Sequence, residues 1–286
     1  MATTAPQIDA HQHFWRYEPA EYAWIDDAMH ALRRDFLPPQ AERVMAAAGF
    51  EASIAVQARQ TEQETRWLLD LADAHPFIVG VVGWVDLQAR DVESRLNALA
   101  SHPKLVGIRH IAQAEPDGFL ARPEVRRGVA AVGAAGLAFD ILVYARQLPE
   151  AVDFAAAFPQ HRFVLDHLGK PDIRGGGFES WRSELRRLAA LPNVWVKLSG
   201  LVTEADWSAW TPSVLRRYID AAFECFGADR LMIGSDWPVC TLAGSYADVM
   251  RVVVDAVGER DETERSAVLG GNARRFWNLS IVEEEA

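Results

Sequence analysis

The chain has 286 residues, 50% of them hydrophobic and 24% charged, with a formal net charge of −11. That is long for one average domain but ordinary for a single α/β barrel, and the apolar half suffices for a large core. With no basic stripe to neutralise phosphates and no apolar run near the roughly 18 residues that span a membrane, nucleic acid and the bilayer are excluded as partners.

The opening MATTAPQIDA lacks a basic stretch followed by an apolar run, so no secretory leader is expected. A strand is predicted over residues 7–13, then an aromatic-rich segment over 14–39 and a helix over 41–48. Strand 52–57 precedes helix 62–74, strand 78–86 precedes helix 92–101, and strand 105–110 precedes helix 124–135. The same alternation continues with strand 137–144 and helix 148–158, then strand 162–167, a Gly-rich segment 170–178 and helix 180–190. It ends with strand 194–199, helix 214–226, strand 231–236 and helix 247–257, before an acidic tail at 283–286.

The strand segments are short and nearly continuously apolar, as strands buried on both faces are. Strand–helix alternation implies parallel pairing through crossover helices, and eight such units close a (β/α)₈ TIM barrel. An open doubly wound sheet is the runner-up, but no Gly-rich fingerprint follows the first strand. The whole of 1–286 therefore reads as one barrel. The 14–39 segment is long enough to be a functional loop over the active-site mouth. Two cysteines, Cys225 and Cys240, form no disulfide framework or CxxC site, which fits a reducing, cytoplasmic compartment.

Barrel enzymes carry their chemistry at the carboxyl ends of the strands. Here those ends hold His11 and His13, Gln57, Trp84 with Asp86, Arg109-His110, Tyr144, Asp166-His167, Lys197 with Ser199, and Asp236-Trp237. His11 and His13 are two apart on a strand, so they share a side and could face one metal ion. Taken alone, such a pair is more often structural. Beside His167 and Asp236 the metal reading is preferred. Asp236 ends an apolar run, where a bare carboxylate is costly unless paired, ligated or catalytic. Arg109 offers a planar fork for a carboxylate or carbonyl oxygen, or else a structural bridge to an acid such as Asp86. Lys197 has the same two readings. Asp166 is expected to orient a neighbour or cap its loop. Trp84, Tyr144 and Trp237 are pocket walls or core.

The segments IDAHQHFW, VGIRH with EPDGFL, FVLDHLGKP, WVKLSG, LMIGSDWPV and GGNARRFW span almost the whole chain. In them the sequence resembles the amidohydrolase superfamily, in the sugar-lactonase branch with the L-fuconolactonases and pyrone-dicarboxylate lactonases. The resemblance implies a (β/α)₈ barrel that hydrolyses a cyclic ester, with Asp236 handling the proton of the attacking water. It places His11 and His13 at the end of the first strand, His167 after the sixth and Asp236 after the eighth. The mechanism expected from these residues makes Asp236, His167 and Arg109 catalytic, and a divalent ion, zinc foremost, if bound, would sit on His11, His13, His167 and Asp236. In this branch such an ion is not always required. The two-metal pattern is departed from, because no bridging lysine follows the middle strands.

The expected reaction is Asp-assisted attack of water on a sugar lactone. Gln57, Trp84, His110, Tyr144 and Trp237 would bind the substrate, with His110 a further candidate for the oxyanion. The absence of a GxSxG elbow or catalytic-cysteine signature argues against a covalent route. A metal-dependent decarboxylase and a non-catalytic sugar-acid binder are the alternatives. The only partner expected is the small lactone, acting on a monomer or small homo-oligomer.

Overall fold

The computed structural model describes residues 6–280. Eight parallel strands form one sheet in sequence order: β1 (Ile8–Gln12), β2 (Ala52–Val56), β3 (Ile78–Gly83), β4 (Leu105–His110), β5 (Ala138–Ile141), β6 (Phe163–Leu165), β7 (Val194–Leu198) and β8 (Leu231–Ile233). The sheet curls until its edges meet. The His13 N–H donates to the Trp237 carbonyl at 2.7 Å, and the Asp236 N–H to the His11 carbonyl at 2.9 Å. This is the (β/α)₈ barrel that the alternation predicts. No helix among the described residues is long and apolar enough to cross a membrane.

The helices are α1 (Pro38–Ala47), α2 (Glu62–Ala74), α3 (Val92–Ala100), α4 (Pro123–Ala134), α5 (Leu148–Ala156), α6 (Phe178–Ala189), α7 (Leu201–Glu204), α8 (Pro212–Phe226), α9 (Tyr246–Gly258), α10 (Glu262–Ser266) and α11 (Asn272–Trp277). Helix α2 has the predicted bounds, and the Thr61 side chain caps it by accepting from the Glu64 N–H. Helix α1 starts earlier than predicted, at Pro38, where proline's fixed φ and missing N–H suit the first turn. The segment after β1 therefore ends at Leu37, not Pro39.

Most strands are shorter than predicted. Strand β3 stops at Gly83 rather than Asp86, and β8 at Ile233 rather than Asp236. The residues beyond leave the ladder, and apolar patterning cannot mark where pairing stops. The sequence reading also missed α7, α10 and α11. The last of these closes the barrel floor: Phe276, Trp277 and Leu279 pack with Ile8, Ala10, Ile54, Val82, Val164 and Met232 of the barrel interior. A second, larger core lies between sheet and helices. The acidic 283–286 stretch lies outside the described residues.

The 14–37 segment folds back on itself. Trp15 and Phe36 exchange backbone hydrogen bonds at 2.9 Å, and the Trp15 indole N–H donates to the Arg34 carbonyl at 2.9 Å. Phe36 then meets Trp237 edge-on at 5.4 Å, which seats the segment on the loop after β8.

Candidate active site

Strand geometry brings three histidines and one aspartate to a single point. His11 lies in β1, His13 just beyond it, His167 just after β6 and Asp236 after β8; all four are buried. Asp236 Oδ1 lies 3.2 Å from His13 Nε2, 3.8 Å from His11 Nε2 and 3.9 Å from His167 Nε2. Burial disfavours the charged form of Asp236. The His167 ring, charged at the acid pH where a carboxyl titrates, the His13 hydrogen bond and the remaining imidazoles outweigh it, so the carboxyl is held well below its ordinary range. Burial drives His167 down to about 4 and His11 well below its usual value, so both rings are neutral at pH 7.

The backbone after β6 is shaped to deliver His167. His167, Leu168, Gly169 and Lys170 all have positive φ, from 47° to 68°. Left-handed backbone costs an L-residue about 1–2 kcal/mol, and such strain gathers at functional sites. The His167 Nδ1 lies 2.9 Å from the Ser199 hydroxyl. Gly200 makes room for the ring: a Cβ there would fall 2.5 Å from His167 Nδ1.

A buried charge network lies directly below. The Arg109 Nη1 donates to Asp166 Oδ2 at 3.0 Å and lies 3.2 Å from His11 Nε2. The structural bridge considered for Arg109 is thus made to Asp166, not Asp86. Lys197, fully buried, has its ammonium 3.2 Å from His11 Nδ1 and 2.9 Å from Asp166 Oδ1, and it donates to Asp140. Burial opposes ionisation of Asp166, but Lys197, His11 and Arg109 override it and hold the carboxyl well below its usual value. Burial pushes Asp140 up to about 6 against the pull of Lys197. Asp140 escaped the sequence reading, although an aspartate inside the apolar run LAFDI carries the same signal that marked Asp236.

The remaining predicted residues divide. Gln57 is fully buried and its side-chain amide donates to the Arg109 carbonyl at 3.3 Å, while its main-chain carbonyl accepts from Arg109 Nη2 and its side-chain Oε1 lies 3.5 Å from the same nitrogen. Its polar capacity goes to Arg109, not to the open mouth. His110 has both ring nitrogens engaged: the Trp84 indole N–H donates to Nδ1 at 3.3 Å and Nε2 lies 3.0 Å from Glu115. Its ring stacks on Phe119 at 4.6 Å. Trp237 is buried against Phe14 and Phe36, and Tyr144 is exposed.

Among the described residues, His11, His167 and Asp236 form a group that could hold a metal ion, their ligand atoms lying within 4.8 Å of one another. His13 adjoins it, with Nε2 3.2 Å from His11 Nε2. Neutral imidazoles and a carboxylate form an N/O donor set suited to a borderline divalent ion.

The pattern that defines the amidohydrolase family matches residues 8–279. An L-fucono-1,5-lactonase of Burkholderia multivorans is 46% identical over 96% of this chain and 97% of its own length. An L-fucono-1,5-lactonase of Burkholderia ambifaria is 40% identical over 96% of each chain. The crystal structure of a Burkholderia multivorans amidohydrolase with bound Zn superimposes with a TM-score of 0.93 at 45% identity, covering 96% of this chain and 100% of that one.

Proposed function

The chain belongs to the amidohydrolase family, and we propose that it hydrolyses a sugar-acid lactone of the L-fuconolactone kind to the free acid. The observation that carries this reading is Asp236, an ionised carboxylate buried at the barrel mouth amid three imidazoles. Its place suits a base that meets water and lactone together. The near full-length similarity to lactonases favours hydrolysis over decarboxylation.

Asp236 takes a proton from water as the oxygen attacks the lactone carbonyl carbon. Negative charge develops on the carbonyl oxygen, and His167 supports it. The Ser199 hydroxyl can donate to Nδ1, which leaves the Nε2–H of His167 to face the site. Arg109 adds fixed positive charge beside His11, held in place by Asp166 and Gln57. When the carbonyl re-forms, the ring C–O bond breaks and Asp236 returns its proton to the departing alkoxide. His11, His13, His167 and Asp236 would hold a divalent ion, zinc first by donor set, whose chemistry is polarisation of the carbonyl or the water; His167 would then carry its proton on Nδ1, donating to the Ser199 hydroxyl oxygen, and offer Nε2 as a lone pair. Trp84 and Tyr144 supply ring surface around the sugar, Trp237 backs the wall from its buried place against Phe14 and Phe36, and His110 fixes the Trp84 indole. The two unbridged cysteines suit a cytoplasmic setting.

The test is proton release in weak buffer from a panel of sugar lactones, on native and chelator-treated protein. Rapid release is expected from an aldonolactone. No release from any lactone, with carbon dioxide released from aromatic acids, would overturn the proposal.

A further inference from the structure

The mechanism leaves one ion pair at the barrel mouth unused. The ammonium of Lys170 lies 3.3 Å from Glu204 Oε1 and 5.4 Å from the centre of the Tyr144 ring. These residues follow three neighbouring strands: Tyr144 follows β5, Lys170 follows β6, and Glu204 ends α7 after β7. They make one wall of the mouth. The Lys170 and Glu204 side chains are 16% and 17% exposed, and Tyr144 is 39% exposed, so the wall is reached by solvent without being dissolved in it.

The left-handed turn sets this wall over the reacting groups. The Lys170 N–H donates to the His167 carbonyl at 2.8 Å, an i to i+3 bond. That bond closes the turn and keeps Lys170 beside His167. The electrostatics agree with the placement. The Lys170 charge is felt at His167. Burial pushes the Glu204 carboxyl up against the pull of Lys170, and the Asp236 charge adds to the rise.

We propose that Lys170 and Glu204 together read a pair of hydroxyls on the lactone ring, with Tyr144 stacking on the ring's C–H face. The inference rests on the lactonase reading above. An ammonium has three N–H donors, and one carboxylate and a ring face use only part of that capacity. A hydroxyl both donates and accepts. Adjacent hydroxyls can therefore bridge the pair, one accepting from Lys170 and the next donating to Glu204. The two charges cancel, so the wall has no net charge with which to capture an anion. It selects a neutral polyhydroxylated ring over a lactone bearing free carboxylates, and it does not retain the anionic product.

The experiment compares L-fuconolactone with the analogue lacking one ring hydroxyl, using proton release by the native protein, Lys170→Met and Glu204→Gln. Loss of a charge-assisted hydrogen bond predicts a fall in kcat/KM of about 10–100-fold on the parent lactone, carried mainly by KM. On the deoxy analogue the same variants should lose less than about 3-fold, because the contact is already missing. Lys170→Arg keeps the charge and should restore part of the loss, which separates recognition from misfolding. Equal losses on both lactones, or no loss on either, would overturn the proposal. If the native protein hydrolyses neither lactone, the lactonase reading itself falls and this one with it.

Discussion

His13 Nε2 lies 3.2 Å from Asp236 Oδ1, while the other nitrogen of the same ring lies 2.8 Å from the Val56 carbonyl oxygen. The carbonyl accepts, so the proton of a neutral ring sits on Nδ1, and Nε2 turns a lone pair toward a carboxylate. Two such atoms repel at that distance unless a proton or a cation lies between them. Added zinc should therefore stabilise the fold, by about 2.7 kcal/mol at a hundredfold excess over Kd. Thermal unfolding with zinc and with chelator, alongside elemental analysis, checks this. His13→Gln should lose most of the effect. Protein that retains no metal and shows no thermal shift would leave a proton as the bridging charge.

Replacing Asp236 with Asn keeps the shape and removes the base. Turnover should fall by at least about 10²–10⁴-fold, the usual contribution of a positioned acid–base group. The circular dichroism spectrum should be unchanged. Retained activity in a well-folded variant would assign the proton transfer elsewhere.

Lys197→Met strands the buried Asp140 and leaves the buried Asp166 with Arg109 as its remaining cation. Breaking a buried pair by removing one partner costs about 3–5 kcal/mol. Urea unfolding should show a midpoint shift of that size. The double variant Lys197→Met with Asp140→Asn should recover part of it. A loss below about 1 kcal/mol would show that the network contributes little to stability.

Acid should destabilise the fold through its buried histidines. Burial holds both His161 and His167 at about 4, against the 6.5 of a free histidine. As the pH falls through 6.5, the unfolded chain binds protons that the folded chain refuses. Stability drops until the folded rings protonate near 4, by up to about 3 kcal/mol for each ring. His161 stacks on Phe163 at 4.6 Å, outside the His/Asp cluster, so His161→Gln isolates one share without touching that cluster. Urea midpoints at pH 7 and pH 4.5 should lie closer together in the variant than in the native protein. An unchanged gap would refute the assignment.

Gly200→Ala tests the seat of His167. Gly200 has φ +64°, and an added Cβ would fall 2.5 Å from His167 Nδ1. The variant should lose stability by about 1–3 kcal/mol and activity by more than that implies, since the ring must leave Ser199. Melting temperature and kcat/KM, measured together, separate the two losses.

Much of the fold was legible along the chain. Eight apolar runs separated by helical stretches specify a parallel barrel because both faces of such a sheet are buried, and burial writes itself into composition locally. His11, His13, His167 and Asp236 were legible for a related reason: polar groups ending apolar strands need partners, and the barrel sends all strand ends to one mouth. What the linear order left open was how the partners pair. Arg109 goes to Asp166 instead of Asp86, Gln57 is spent on Arg109, and Asp140 joins Lys197 from two strands away. Helix α11, which plugs the barrel floor, was also invisible. These outcomes depend on contacts between residues far apart along the chain, 57 positions for Arg109 and Asp166 and for Lys197 and Asp140. Composition and periodicity report only how each residue sits on its own element. The closure of the sheet decides which side chains from different strands come within reach of one another.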